Sequence, residues 1–162
     1  MMLDSNGAGR GPDYARALAC VAGEASWLEG EPPGVADVSA ALANTGIAAW
    51  IDWRVSKEEG LRAVAALLPT GWFSEVTESG TSITIAVAAP DLTVRTTTLQ
   101  DVDASSNRAV ISVLVSLCPG FRAYEMVQFQ AEDTAVYVLV TDEQDACLRE
   151  ALGQDWGDVF TW

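Results

Sequence analysis

Between Ser105 and Leu152 the chain changes its hydrophobic period repeatedly, and this stretch limits the available folds more than any other. Apolar residues first recur three and four apart, at Val110, Val113, Leu114 and Leu117. That spacing is the stripe of a helix buried on one side, and Pro119-Gly120 stops it. Two apolar runs follow, Phe121–Phe129 and Ala135–Val140, joined by the acidic turn Gln130–Thr134. Thr141 then opens a second helix, with Gln144 three residues on to complete a capping box. The stretch therefore reads helix, strand, turn, strand, helix.

The remainder is divided by its breaks. Residues 1–11 are rich in Gly and Asn without periodicity, which predicts a disordered arm. Pro12 suits a first helical turn, and Tyr14, Leu18, Val21, Ala22 and Ala25 continue a stripe to about Leu28. Pro32-Pro33-Gly34 ends it. A second short helix is expected from Val35 with Val38, Ala41 and Leu42, and Gly46 sits where a left-handed stop would fall. Ile47–Arg54 alternates as a strand, with Ile47, Ala49, Ile51 and Trp53 on one face and Ala48, Trp50, Asp52 and Arg54 on the other. Ser56 and Glu59 make a capping box for a helix with Leu61, Val64, Ala65 and Leu68 inward, ended by Pro69 and Gly71.

The segment 72–80 reads as a short strand or as irregular chain. Thr81–Ala88 is a strand with Ile83, Ile85 and Val87 inward. Pro90-Asp91 turns the chain into a partner strand, Leu92–Leu99. There Leu92, Val94 and Thr96 are expected inward, with Thr93, Arg95 and Thr97 facing water. The order is then ααβαββαββα. It predicts a single α+β domain over residues 12–162, with one antiparallel or mixed sheet of about five strands and helices mainly on one face. The strand-cap-helix-aromatic pattern at Ser56 and Trp72-Phe73 echoes that at Thr141, Trp156 and Phe160. Capping chemistry used twice accounts for it without a duplication.

A chain of 162 residues, 49% of them hydrophobic, fits one domain with a real core. Its 23 acids against nine bases give a net charge of −14. Phosphate backbones and anionic membranes are repelled by such a charge, so neither is an expected partner; a basic protein is attracted. Solubility is the competing account of the same charge. No apolar run approaches the ~20 residues of a membrane helix. Met1–Gly7 shows no basic region followed by an apolar core, so a cytoplasmic location is expected. The three cysteines, Cys20, Cys118 and Cys147, have no C-x-x-C spacing and are expected as reduced thiols, with Cys118 and Cys147 serving as small core residues.

The chain has no histidine. Ser-His-Asp and Cys-His catalysis and His-ligated zinc are therefore closed to it, and three scattered thiols do not make a zinc site. No dinucleotide fingerprint, phosphate loop or nucleophile elbow occurs. The acid groups Asp101 with Asp103, Glu132 with Asp133, and Asp142 with Glu143 and Asp145 lack calcium-loop spacing. The last three suit the positive end of a helix dipole. No catalytic residue, cofactor or metal is expected.

Acids interleaved with aromatics are the more pointed signal. From Ala131 onward eight acids face one base, Arg149, a local charge of −7, with Trp156, Phe160 and Trp162 among them. This segment either packs on the sheet, lines an acidic binding face, or does both. Trp50 shares a strand face with Asp52, and is either buried on the second sheet face or held at the surface as an anchor. The candidate partner-binding residues are thus Asp142, Glu143, Asp145, Asp155, Trp156 and Asp158, with Trp50 and Asp52 second.

The strand ending Ile51-Asp52-Trp53-Arg54, followed directly by a capped helix, resembles a pattern in small bacterial α+β proteins of unknown function. The overall profile is similar to that of immunity proteins of bacterial toxin systems, which are small, acidic and without catalytic residues. That resemblance implies a non-enzymatic protein that occludes a cognate, basic toxin. An adaptor or housekeeping domain is the alternative, and a carboxylate-based enzyme the third.

Overall fold

The structure, a computed structural model, describes residues 11–24, 28, 32–52, 54–130 and 133–162. Residues 1–10 of the arm expected over 1–11, with Ala25, Trp53 and Glu132, lie outside the described residues.

Among the described residues six α-helices and seven strands follow one another as α1 (Tyr14–Ala19), α2 (Val35–Ala43), β1 (Ala48–Asp52), α3 (Lys57–Ala65), β2 (Phe73–Ser79), β3 (Ser82–Ala88), β4 (Val94–Leu99), α4 (Asn107–Ser116), β5 (Phe121–Met126), β6 (Thr134–Thr141), α5 (Asp142–Leu152), α6 (Trp156–Val159) and β7 (Phe160–Thr161). The fold is α+β, and every strand pair is antiparallel. The strands form two sheets rather than the single sheet of about five expected. One has the order β1-β6-β5-β7, the other β2-β3-β4.

β6 explains the larger sheet. Its run Val136–Val140 is buried at every position, as required of a central strand covered on both faces. Val136, Val138 and Val140 enter one core with Leu18, Leu42, Leu148 and Leu152, from helices α1, α2 and α5. Tyr137 and Leu139 enter a second core with Leu61, Val64, Val110 and Leu114 of α3 and α4. Helices thus cover both faces, which corrects the expectation of one covered face. The inner face of the smaller sheet, Val76, Ile83, Ile85 and Val87, completes the second core.

Local chemistry holds the elements where the sequence placed them. Thr141 and Gln144 make both halves of their capping box, at 3.0 and 2.9 Å. The hydroxyls of Ser56 and Ser106 accept from the amides of Glu59 and Ala109. Arg62 Nη2 donates to the Val76 carbonyl at 2.7 Å, tying α3 to β2.

Four further expectations are corrected. Helix α1 ends at Ala19, not near Leu28, because Ala22 turns left-handed (φ 58°) and the Gly23 amide closes back on the Leu18 carbonyl at 2.7 Å. Gly46 is not left-handed; α2 ends at Asn44 without it. Cys147 is not a free core thiol: it forms a disulfide with Cys20.

The fourth concerns β4. Leu92 and Val94 face outward, and Arg95, Thr97 and Leu99 stand opposite Val87, Ile85 and Ile83. The Leu92 amide donates to the Ala89 carbonyl, and Leu92 itself is left-handed (φ 70°). A tight turn followed by a left-handed residue makes a three-residue loop with a bulge. One extra residue shifts the register by one, and a shift of one exchanges the two faces of a strand.

Candidate functional site

Most of the candidate C-terminal acids are engaged within the fold. Asp145 is buried at 5% exposure and accepts from Arg149 Nε at 3.1 Å. Arg122 Nε donates to Asp142 at 3.0 Å and lies 3.8 Å from Asp145. Its basicity is raised first by the hydrogen bond to Asp142. Arg149 Nη2 donates to the Tyr124 hydroxyl at 3.1 Å, while the guanidinium lies 3.8 Å from the centre of the Trp156 ring. Tyr124 meets the same ring edge-on at 5.0 Å. Trp156 is therefore clamped between a cation and a tyrosine against the first core.

Asp155 accepts from the Tyr14 hydroxyl at 2.6 Å. Burial, reinforced by that carboxylate, pushes the Tyr14 hydroxyl up to about 12. The structure thus brings Asp142, Asp145, Asp155 and Trp156 together as a strut between α1, β5, α5 and α6. Asp142, Glu143 and Asp158 remain exposed. The remaining aromatics divide: one is buried and the other, Trp162, is 42% exposed. Phe160 is buried, and Trp162 donates to Ser112 while meeting Tyr137 edge-on at 6.1 Å.

Trp50 and Asp52 lie apart from this strut, on the edge strand at the other end of the larger sheet. Trp50 is 47% exposed. Its Nε1 donates to the Ala43 carbonyl at 2.7 Å, and its ring meets Phe129 edge-on at 5.1 Å. Asp52 accepts two guanidinium hydrogen bonds from Arg54 at 2.9 and 2.6 Å, and one from its amide. Those bonds hold the Asp52 carboxyl down to about 2.

A polar groove of about 260 Å³ opens beside Asp52, lined also by Ser56, Lys57, Asp103 and Asn107. Lys57 is the only lysine of the chain. Two of the groove's polar groups are already engaged, Ser56 in capping α3 and Asp52 with Arg54. Among the described residues no three Cys, Asp or Glu side chains gather as metal ligands. Cys118 is buried, and burial pushes its thiol up to about 11, far from the thiolate a nucleophile needs.

One surface was missed in reading the sequence. Phe73, Leu92 and Val94 are 70%, 80% and 64% exposed. Phe73 and Val94 flank Ala88 in register, on the outer face of the smaller sheet, and Leu92 stands in the adjoining loop. The signal was the loop length, since Leu92 holds a left-handed position that glycine usually fills.

No helix of the described residues is long and apolar enough to cross a membrane. Comparison with protein-family models, with curated proteins and with solved structures finds no match for this chain.

Proposed function

We propose that the chain is a non-enzymatic binding protein that occludes a basic protein, most concretely an immunity protein neutralising a cognate bacterial toxin. One observation carries the reading: the chain has a net charge of −14, and among the described residues Asp145 is the only buried acid, so the other described acids lie at or near the surface. Such a field steers a basic partner into encounter and repels nucleic acid. Asp142, Glu143 and Asp158 contribute to it near α5. A cytoplasmic location belongs to the same proposal. In a reducing cytoplasm the Cys20–Cys147 bond would then need protection or an oxidising episode to persist.

The test is capture of the partner from the native organism, its identification by mass spectrometry, and association kinetics with the purified pair. A basic partner whose association slows steeply with salt is expected. An acidic partner, or association indifferent to salt, would overturn the proposal.

A further inference from the structure

Large apolar side chains on an antiparallel sheet normally face the core, and alternation delivers polar residues to water. The smaller sheet breaks this at one end. Its outer face carries threonines, Thr77, Thr84, Thr96 and Thr98, over most of its area, with Thr84 and Thr98 hydrogen-bonded across strands at 3.0 Å. At the loop end the threonines give way to Phe73, Ala88 and Val94, with Leu92 beside them. Folding does not bury these side chains. Leu92 also holds a backbone conformation costly for any residue with a Cβ. Exposed apolar clusters of this kind mark contact surfaces more often than isolated exposed residues do.

The charges around the cluster select the occupant. Glu75 follows Phe73 on the same face, opposite Ala86, and Asp91 precedes Leu92 in the loop; both acids are exposed. Among the described residues the strands place no lysine or arginine on the outer face, because Arg95 lies on the inner side opposite Val87. A second copy would bring the same two acids, and another net −14, against this face. Among the described residues β4 pairs on one side only, with β3, so an approaching segment meets a strand edge that no described residue pairs, beside the cluster.

We infer that the outer face around Phe73, Leu92 and Val94 is the docking surface for a basic protein segment that presents apolar side chains between its lysines or arginines. This rests on the binding reading above and gives it a place. The apolar side chains cover the cluster, and the flanking cations meet Glu75 and Asp91. Affinity comes from the desolvated cluster and selectivity from the acids at its rim.

The test uses the intact chain, labelled with ¹⁵N, and a short peptide of alternating lysine and leucine. Its glutamate-for-lysine counterpart serves as control. Saturable shifts at Phe73, Ala88, Leu92 and Val94 with the cationic peptide, absent with the anionic one, are expected. The variant Phe73→Ser/Leu92→Gly/Val94→Thr should weaken that binding at least tenfold while melting as a folded protein. Leu92→Gly alone, which relieves the backbone, should weaken it severalfold should the triple variant prove unstable. Shifts confined to Asp142, Glu143 and Asp158 would overturn this surface yet leave the basic-partner reading standing. Shifts at the cluster that grow with protein concentration, without peptide, would name a second copy instead. No response to the cationic peptide at any site would count against both.

Discussion

Cys20 and Cys147, 127 residues apart in sequence, are joined by a disulfide that pins α1 to α5. A helix of six residues does not hold itself together in water. Here it is held by that bond, by the Asp13 amide on the Ala151 carbonyl at 2.8 Å, by Arg16 with Glu150 at 3.1 Å, and by the buried Ala17 and Leu18. Loop-closure reasoning gives the bond about 5 kcal/mol for so long a loop, with strain and residual structure reducing it to about 2–4. Cys20→Ser/Cys147→Ser should therefore lower unfolding stability by about 2–4 kcal/mol in urea, with amide protection lost first in residues 14–22. Unchanged stability under reduction would show that the apolar contacts of α1 suffice alone.

Cys118 and Tyr14 set the alkaline limit. Both groups are neutral in the fold and pushed upward, the thiol to about 11 and the hydroxyl to about 12. The unfolded chain deprotonates first, from about pH 8.5 for the thiol and about pH 10 for the hydroxyl. The stabilisation is thus complete below those values and is lost as pH rises to about 11 and 12. Melting temperature should be level up to about pH 8.5 and fall above it. Native protein at pH 8 should resist iodoacetamide at Cys118 and react once unfolded. Rapid native alkylation would mean that the thiol is not buried.

Asp52 sets a contribution at the acid end with the opposite sign. Its carboxyl is held down to about 2 by Arg54. Whatever stability the pair contributes is present above the ordinary carboxyl range and is lost as pH falls through about 2. The pair is exposed, so Asp52→Asn should change the acid unfolding midpoint only slightly. A large shift would give the pair a structural weight that its exposure argues against.

Leu114 and Leu92 are both leucines, and their surroundings predict opposite results. Leu114 is fully buried in the second core, so Leu114→Ala should cost about 2–5 kcal/mol. Leu92 is 80% exposed and left-handed, so Leu92→Gly should leave stability unchanged or raise it by up to about 1 kcal/mol. Paired thermal melts decide it. Marked destabilisation by Leu92→Gly would restore the register in which Leu92 faces inward.

Asp145 and Asp158 separate structural acids from surface acids. Asp145→Ala removes the buried carboxylate from Arg149 and Arg122, and should cost about 1–3 kcal/mol. Asp158→Asn and Glu143→Gln should stay within about 0.5 kcal/mol, since both side chains are exposed. Comparable losses at all three positions would mean that the exposed acids also carry the strut.

Much was legible before the chain was folded. The capping chemistry of Ser56 and Thr141, the stripe through Val110 and Leu114, and the alternation of Ile83, Ile85 and Val87 are local. Each follows from a few consecutive side chains and the period of its element. The α+β class followed from these, while antiparallel and mixed pairing both stayed open. What sequence could not decide depends on who covers whom. The run Val136–Val140 reads as an apolar strand without showing how many of its faces are covered; only packing shows that α1, α2 and α5 cover one face and α3 with α4 the other. The Cys20–Cys147 bond, the clamp of Arg149 and Tyr124 on Trp156, and the outward turn of Val94 all depend on groups brought close from distant segments or on the dihedral angle of one loop residue. Local propensity is blind to both, because side-chain period repeats every second residue and a single left-handed Leu92 exchanges inside for outside.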